Sequence, residues 1–167
     1  DSFRKEGFPT IVCRFSNFYG PGQPIYRLIP KLCLMLDLNK KFPLHGNGQS
    51  IRNFIFSSDF CRGIELVIKK GKIGSCYHFS GNETKSIKSI VNKICKIKGK
   101  NFKEYVKFSA DRIAKDKIYM LSTKNTKREL GWKCNINLDK GLNKTINFYK
   151  NNFNYLKKLS LEYKFIK

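Results

Sequence analysis

Ser16-Asn17-Phe18-Tyr19-Gly20-Pro21-Gly22-Gln23 follows directly on the run Ile11-Val12-Cys13-Arg14-Phe15, and the reading of these two segments decides the fold. A β-branched run without polar alternation reads as a strand buried on both faces, the kind found in parallel sheets covered by helices. In open α/β sheets, ligands sit outside the carboxyl ends of the strands. The turn therefore begins where a ligand is expected, and Gly20-Pro21-Gly22 lets the backbone bend sharply and approach another group closely.

Working outward, Asp1 to Glu6 reads as the last turn of a helix with Gly7 as its C-cap. Leu28 to Leu36 reads as a helix with Pro30 in its first turn, where a missing N–H does no harm. Phe42-Pro43-Leu44-His45 is extended, and Gly46-Asn47-Gly48-Gln49 is a turn of the type that joins two strands tightly. Ile51 to Phe56 is a second strand. Ser58 or Asp59 then caps a helix with Phe60, Cys61, Ile64, Val67 and Ile68 on one face, and Gly71 stops it. Cys76 to Phe79 is a strand, and a helix buries Ile87, Ile90, Val91, Ile94 and Cys95. Tyr105 to Phe108 alternates as an edge strand. Asp111 to Lys117 is a charged loop, Thr123 caps a short helix ending at Gly131, and Trp132 packs just beyond it. One long amphipathic helix, capped by Asn137, carries Leu138 through Leu156. This alternation of strands and helices predicts an α/β architecture.

The chain of 167 residues, 41% hydrophobic, is long enough to bury the core of one ordinary domain. Its formal charge of +22 raises the question of a polyanionic partner. Only 7 of the 34 basic residues are Arg, however, and the lysines run through the whole chain beside abundant Asn and Ile, the mix that AT-rich coding favours. Specific nucleic-acid sites lean on Arg forks and aromatic platforms, so no nucleic-acid partner is expected. The six cysteines form no Cys-x-x-Cys pair, and Cys13, Cys61, Cys76 and Cys95 fall on apolar faces, where Cys packs as a small hydrophobe. A reducing cytoplasm fits this usage, and neither a metal site nor a membrane span is expected. Two histidines, His45 and His78, carry no metal or acid–base spacing. Arg27, Arg52 and Arg112 lie beside turns in a chain where Lys is the default cation, which points to a need for the planar fork that grips phosphate oxygens in pairs.

The ordered series Arg14 to Gly22, Arg27-Leu28-Ile29-Pro30, His45 to Asp59, Tyr77 to Gly81, Asp111-Arg112 with Asp116 and Tyr119, and Lys127 to Lys133 resembles the carboxyl-terminal half of the extended short-chain dehydrogenase/reductase family. The likeness is greatest to its nucleotide-sugar 4,6-dehydratases and runs from Thr10 to Asn151. It implies an α/β fold made of the last part of an NAD-binding Rossmann domain, residues 1–16, and the smaller mixed α/β substrate domain, residues 17–167, with 51–70 packing back on the cofactor domain. It also implies an NAD-dependent lyase of carbohydrate biosynthesis that is a homodimer when complete, acting on a nucleotide-diphosphate sugar by oxidation at C4, loss of water across C5 and C6, and return of the hydride.

By the same resemblance, Asn17 binds the nucleotide sugar near its diphosphate. Arg27 and Leu28 start the helix over the nucleotide, and Pro43 and His45 lie on the strand bordering the base, where the family usually has Tyr at the latter position. Arg52 and Arg112 grip the diphosphate, Ser86 matches a ribose or phosphate contact, and the Ser16 backbone borders the cofactor. Asn53 stands where Asp is common, His78 and Ser80 replace Asn and Gly, and Ile113-Ala114 replace Pro-Gly. The family's Gly-x-x-Gly-x-x-Gly turn is absent from the sequence, and its catalytic Tyr-x-x-x-Lys pair is expected upstream of Asp1; the one such spacing here, Tyr163 to Lys167, falls after the segment that carries the resemblance. The chain is accordingly expected to be the substrate-binding piece of a longer enzyme, inactive alone. A sugar-nucleotide 4-epimerase or reductase is the alternative within the family, and a basic nucleic-acid-binding domain the alternative outside it.

Overall fold

The computed structural model of this chain describes residues 5–111 and 116–162. Lys5 and Glu6 are helical and Gly7 adopts φ +68°, which agrees with a helix ending in a left-handed cap. Strand β1 (Val12–Phe15) leads straight into β2 (Asn17–Tyr19), and the two enter different sheets. Helix α1 (Leu28–Asp37) follows, then β3 (Phe42–His45) and β4 (Ile51–Phe56). After α2 (Ser57–Lys70) come β5 (Cys76–Phe79) and β6 (Thr84–Ser86). The rest is α3 (Ile87–Ile97), α4 (Phe102–Tyr105), β7 (Val106–Ser109), β8 (Ile118–Tyr119), α5 (Lys124–Leu130), α6 (Leu138–Asn151) and α7 (Phe153–Leu156).

Three sheets result. β1 pairs in parallel with β5, and β3 in parallel with β7. β4 organises the third: its first half lies between antiparallel β6 and parallel β8, and its second half pairs in parallel with β2. Because side chains alternate across a strand, β4 serves two cores at once. Phe54 and Phe56 enter a large core with Tyr19, α1, α3 and α6, whereas Ile55 enters a smaller one with Val67, Tyr77, Phe79, Leu130 and Trp132. This double burial is why Ile51 to Phe56 lacks polar alternation at its carboxyl end.

Close approaches fix these layers. A Cβ on Gly81 would sit 1.9 Å from the Phe54 carbonyl oxygen, so only glycine lets the loop after β5 cross β4 there. A Cβ on Gly141 would lie 2.1 Å from the Tyr19 hydroxyl, which instead donates to the Leu138 carbonyl at 3.3 Å. Trp132 packs edge-on against Phe79, with ring centroids 5.2 Å apart, and donates from Nε1 to the Asp59 carbonyl at 3.0 Å.

Several expectations are corrected. The first strand is not buried on both faces: Val12 is 47% and Phe15 39% exposed, because β1 has β5 as its single strand neighbour among the described residues. Gly46 to Gln49 does not make a hairpin, since β3 and β4 belong to different sheets. Its carbonyls instead meet the start of α3, with Gly48 O and Ser50 O accepting from the Lys88 and Ile87 amides. Neither Ser58 nor Asp59 caps α2, whose N-cap is Phe56 without a side-chain bond; Thr123 is an N-cap, likewise without one. The long terminal helix breaks at Asn152 into α6 and α7. Cys61 and Cys76 are exposed, while Cys33 and Cys95 are buried. No helix among the described residues is long and apolar enough to cross a membrane.

Candidate nucleotide-diphosphate site

The crossing from β1 to β2 is held by the Ser16 amide, which donates to the Phe79 carbonyl at 2.9 Å. The Ser16 hydroxyl is buried and has no hydrogen-bond partner among the described residues. Asn17 then opens β2 opposite Phe54 and is exposed. Residues opposite each other in a parallel pair share a face, and so do residues two apart on one strand. Asn17 and Arg52 therefore project from the same face, offset by two residues, about 6–7 Å along the strand.

Arg52 is matched by Lys85 on β6 and by Tyr119 on β8. Its guanidinium donates from Nη1 to the Ile51 carbonyl at 2.8 Å and from Nη2 to the Asp116 carbonyl at 2.7 Å. Both bonds go to neutral acceptors, so the cation has no carboxylate partner among the described residues. Nε–H and one N–H on each Nη are left over for an anion.

Ser86 lies opposite Ile51 and is the N-cap of α3, its hydroxyl accepting from the Ser89 amide at 3.1 Å. This leaves the hydroxyl hydrogen for a further acceptor. His45 ends β3, with Nδ1 3.3 Å from the Ala110 carbonyl and 3.1 Å from the Ser109 hydroxyl. Nδ1 meets the Ala110 carbonyl as a donor in one tautomer and the Ser109 hydroxyl as donor or acceptor in either. Pro43 precedes it, half-buried and opposite Lys107. Arg27 is the N-cap of α1, its guanidinium 5.4 Å from the Tyr26 ring centroid, and Leu28 packs against the large core. Arg112 lies outside the described residues, but both flanks of its segment are tied to expected site residues: Ala110 to His45 and Asp116 to Arg52.

The register thus puts Asn17 and Arg52 on one face of neighbouring strands, whereas Ser86, opposite Ile51, projects from the other face and is not brought to them; His45 is joined to Arg52 through the flanks of one segment. Composition did not flag Asn53. It is buried and donates from Nδ2 toward Gly81 O at 3.2 Å, Glu83 O at 3.0 Å and Thr84 Oγ1 at 3.2 Å. The two carbonyls only accept and so need a donor, which an ionised aspartate in the same place would lack. Asn53 therefore holds the β5–β6 connection beside Arg52.

A second buried polar centre lies in the first turn of α2. Asp59 Oδ2 accepts from the Asn135 and Ile136 amides at 2.9 and 2.8 Å and from the Cys134 thiol at 3.2 Å, while Oδ1 lies 3.0 Å from Arg62. Burial, with the adjacent carboxylate, pushes the Cys134 thiol up to about 11. The thiol therefore stays protonated at neutral pH. Among the described residues, no group of three or more His, Cys, Asp or Glu is placed to hold a metal ion.

The sequence is 33% identical over 159 residues to the dTDP-glucose 4,6-dehydratase of Shigella flexneri, covering 92% of this chain and 44% of that protein. It is also 33% identical over 149 residues to a trifunctional UDP-glucose 4,6-dehydratase/UDP-4-keto-6-deoxy-D-glucose 3,5-epimerase/UDP-4-keto-L-rhamnose-reductase of Arabidopsis thaliana, covering 89% of this chain and 22% of that protein. A dTDP-glucose 4,6-dehydratase of Streptomyces venezuelae, solved with NAD and TYD bound, matches the fold with a TM-score of 0.90 at 29% identity, over 96% of this chain and 49% of that one. The chain spans less than half the length of these curated relatives. The GDP-mannose 4,6 dehydratase family model matches residues 2–145, and the chain belongs to that family.

Proposed function

We propose that residues 17–162 form the nucleotide-sugar binding half of an NAD-dependent nucleotide-sugar 4,6-dehydratase. The observation that carries this reading is the Arg52 fork, oriented by two carbonyls and without a carboxylate partner among the described residues, on the same face as Asn17. Such a pair binds a diphosphate through charge-assisted bonds and fixes its orientation. Anchoring the diphosphate places the distant sugar for reaction without touching the reacting carbons. Dehydratase relatives at 33% identity support this chemistry over epimerisation, for which the likeness to the Thermotoga maritima UDP-glucose 4-epimerase structure, at 20% identity, shows the fold alone.

The residues present also fit the edge of an NAD site. The Ser16 hydroxyl, buried and without a partner among the described residues, stands at the carboxyl end of β1, and that strand leaves Val12 and Phe15 partly exposed. Both features support reading residues 1–16 as the border of a cofactor domain, with α2 packed toward it through Phe60, whose ring lies 4.7 Å from that of Phe15. When bound, NAD supplies the hydride acceptor and donor, and this chain positions the substrate.

Titration calorimetry of the full chain with dTDP-glucose, UDP-glucose, GDP-mannose and the parent nucleosides tests the reading. Binding of at least one nucleotide sugar well above its nucleoside, with no turnover in the presence of NAD, is the expected result. Equal affinity for nucleoside and nucleotide sugar removes the diphosphate site.

A further inference from the structure

Asn47-Gly48 is the one Asn-Gly pair in the sequence, and it sits in the turn between β3 and β4. An asparagine followed by glycine is chemically labile, because the next backbone nitrogen can attack the side-chain amide carbon and glycine has no Cβ to shield that nitrogen. Folding suppresses the attack where the asparagine side chain is held or the nitrogen is already bonded. Neither restraint operates here. Asn47 is exposed, and its side chain makes no hydrogen bond among the described residues. The Gly48 amide has no acceptor among them either, although its carbonyl accepts from the Lys88 amide at 2.8 Å. The fold also demands the glycine. Gly48 is buried at φ +65°, and a Cβ there would lie 3.0 Å from the Lys88 nitrogen and 2.9 Å from Leu44 Cδ2. The residue that makes Asn47 reactive is therefore the one that packing of the turn against α3 requires.

The reaction needs only water. The Gly48 nitrogen bonds to Asn47 Cγ, and the side-chain nitrogen leaves as ammonia with the Gly48 proton, closing a succinimide. Water then opens the ring without any change of oxidation state. Cleavage at Cγ gives aspartate, whereas cleavage at the Asn47 backbone carbonyl gives isoaspartate, in which the chain runs through the former side chain and is one methylene longer. That methylene has nowhere to go, because the backbone is pinned on both sides of Asn47. Before it, the Gly46 amide donates to the Ser109 carbonyl at 2.8 Å; after it, the Gly48 carbonyl holds the first turn of α3. The longer backbone must break one of these two bonds, and the Gly48 bond, one residue away across the new linkage, is the nearer.

We propose that Asn47 is a site of spontaneous, succinimide-mediated conversion to isoaspartate and aspartate, and that the isoaspartate form releases the turn from the start of α3. This site is independent of the nucleotide-sugar reading. The full chain is incubated at pH 7.4 and pH 9, digested with trypsin, and the peptide from Phe42 to Arg52 is followed by chromatography with electron-transfer mass spectrometry, a digest at zero time setting the baseline. Acid products should accumulate at Asn47 about tenfold faster than at Asn39 and Asn82, which Lys40 and Glu83 follow, should form faster at pH 9, and should contain more isoaspartate than aspartate. Hydrogen exchange of the Lys88 amide should be at least fivefold faster in the separated isoaspartate form than in the parent. The Asn47→Asp variant, which adds the charge without the methylene, should exchange there like the parent. A rate at Asn47 no greater than at Asn82, or aspartate as the sole product, overturns the modification site. Equal Lys88 exchange in the isoaspartate form and the parent overturns the released turn.

Discussion

Arg52 donates from Nη2 to the Asp116 carbonyl at 2.7 Å and, with the Ile51 amide donating to the Lys117 carbonyl at 2.8 Å, ties the start of β4 to the far flank of the segment that begins beside His45. With the second bond to the Ile51 carbonyl, the fork is oriented before any ligand arrives. Preorganisation of this kind reduces the ordering cost of binding.

Arg52→Ala should therefore weaken nucleotide-sugar binding by about 1.5–3 kcal/mol, the range for hydrogen bonds to a charged group. Arg52→Lys should recover only part of this, because an ammonium keeps the charge and loses the paired geometry. Calorimetry with the nucleotide sugar and its nucleoside reads both: the nucleoside affinity should be nearly unchanged. A loss shared equally by nucleoside and nucleotide sugar contradicts a diphosphate role for Arg52.

Asn53→Asp replaces a buried donor by a carboxylate facing the Gly81 and Glu83 carbonyls. The ionised form should cost about 3 kcal/mol of stability. Those oxygens raise the pKa of the new carboxyl above its unfolded value of about 3.9. A raised acid contributes its stability below the unfolded pKa and loses it as pH rises, so the deficit relative to the parent should be largest at pH 7 and shrink toward pH 4. Urea unfolding at the two pH values measures it, and a deficit independent of pH rules out the donor role.

Much of the fold was legible because burial is periodic. The face of Ile87, Ile90, Val91, Ile94 and Cys95 lies against the large core, and the Asn137 side chain caps α6 through the Lys140 amide as its position implies. What local sequence did not carry was pairing over distance. β2, β6 and β8 are two or three residues long and exist because β4 offers them partners. Asp59 illustrates the same limit. At the start of an apolar helix it reads as a cap, yet its carboxylate reaches amides 76 and 77 residues away. For the site, the scarcity of arginine singled out Arg52, whereas the work of Asn53 is visible only once the carbonyls around it are in place.

Asp59→Ala should consequently act on the segment after Trp132 and not on helix initiation. It strands the Asn135 and Ile136 amides and leaves Arg62 with the Lys133 carbonyl but without its acidic partner, for an expected loss of about 3–5 kcal/mol. Asp59→Asn keeps one acceptor but sets an amide donor against Arg62 or the backbone N–H groups, so it should rescue little. Trp132, 2% exposed and bonded to Asp59, reports the change through its fluorescence during urea unfolding. A loss below about 1 kcal/mol, the size of an ordinary missing cap, contradicts the bracing role.

Alkaline stability should be set chiefly by buried thiols, with Cys13 and Cys95 raised by burial as well as Cys33 and Cys134. Burial raises Cys33 to about 12, and burial together with Asp59 raises Cys134 to about 11, from an ordinary value of 9.0. For an acid raised on folding, the native state holds more protons than the unfolded chain between the two values, so stability is full below pH 9 and falls as pH climbs toward 11 and 12. Tyr19 and Tyr149, both raised mainly by burial, extend the decline upward. Cys134→Ser, although it costs some stability at pH 7 by changing the contact with Asp59, should flatten the fall between pH 9 and 11, because a hydroxyl does not titrate there. Urea midpoints collected from pH 7 to 11 under reducing conditions compare Cys134→Ser with the parent, and a parent slope unaltered by Cys134→Ser shows that the thiol is not the titrating group.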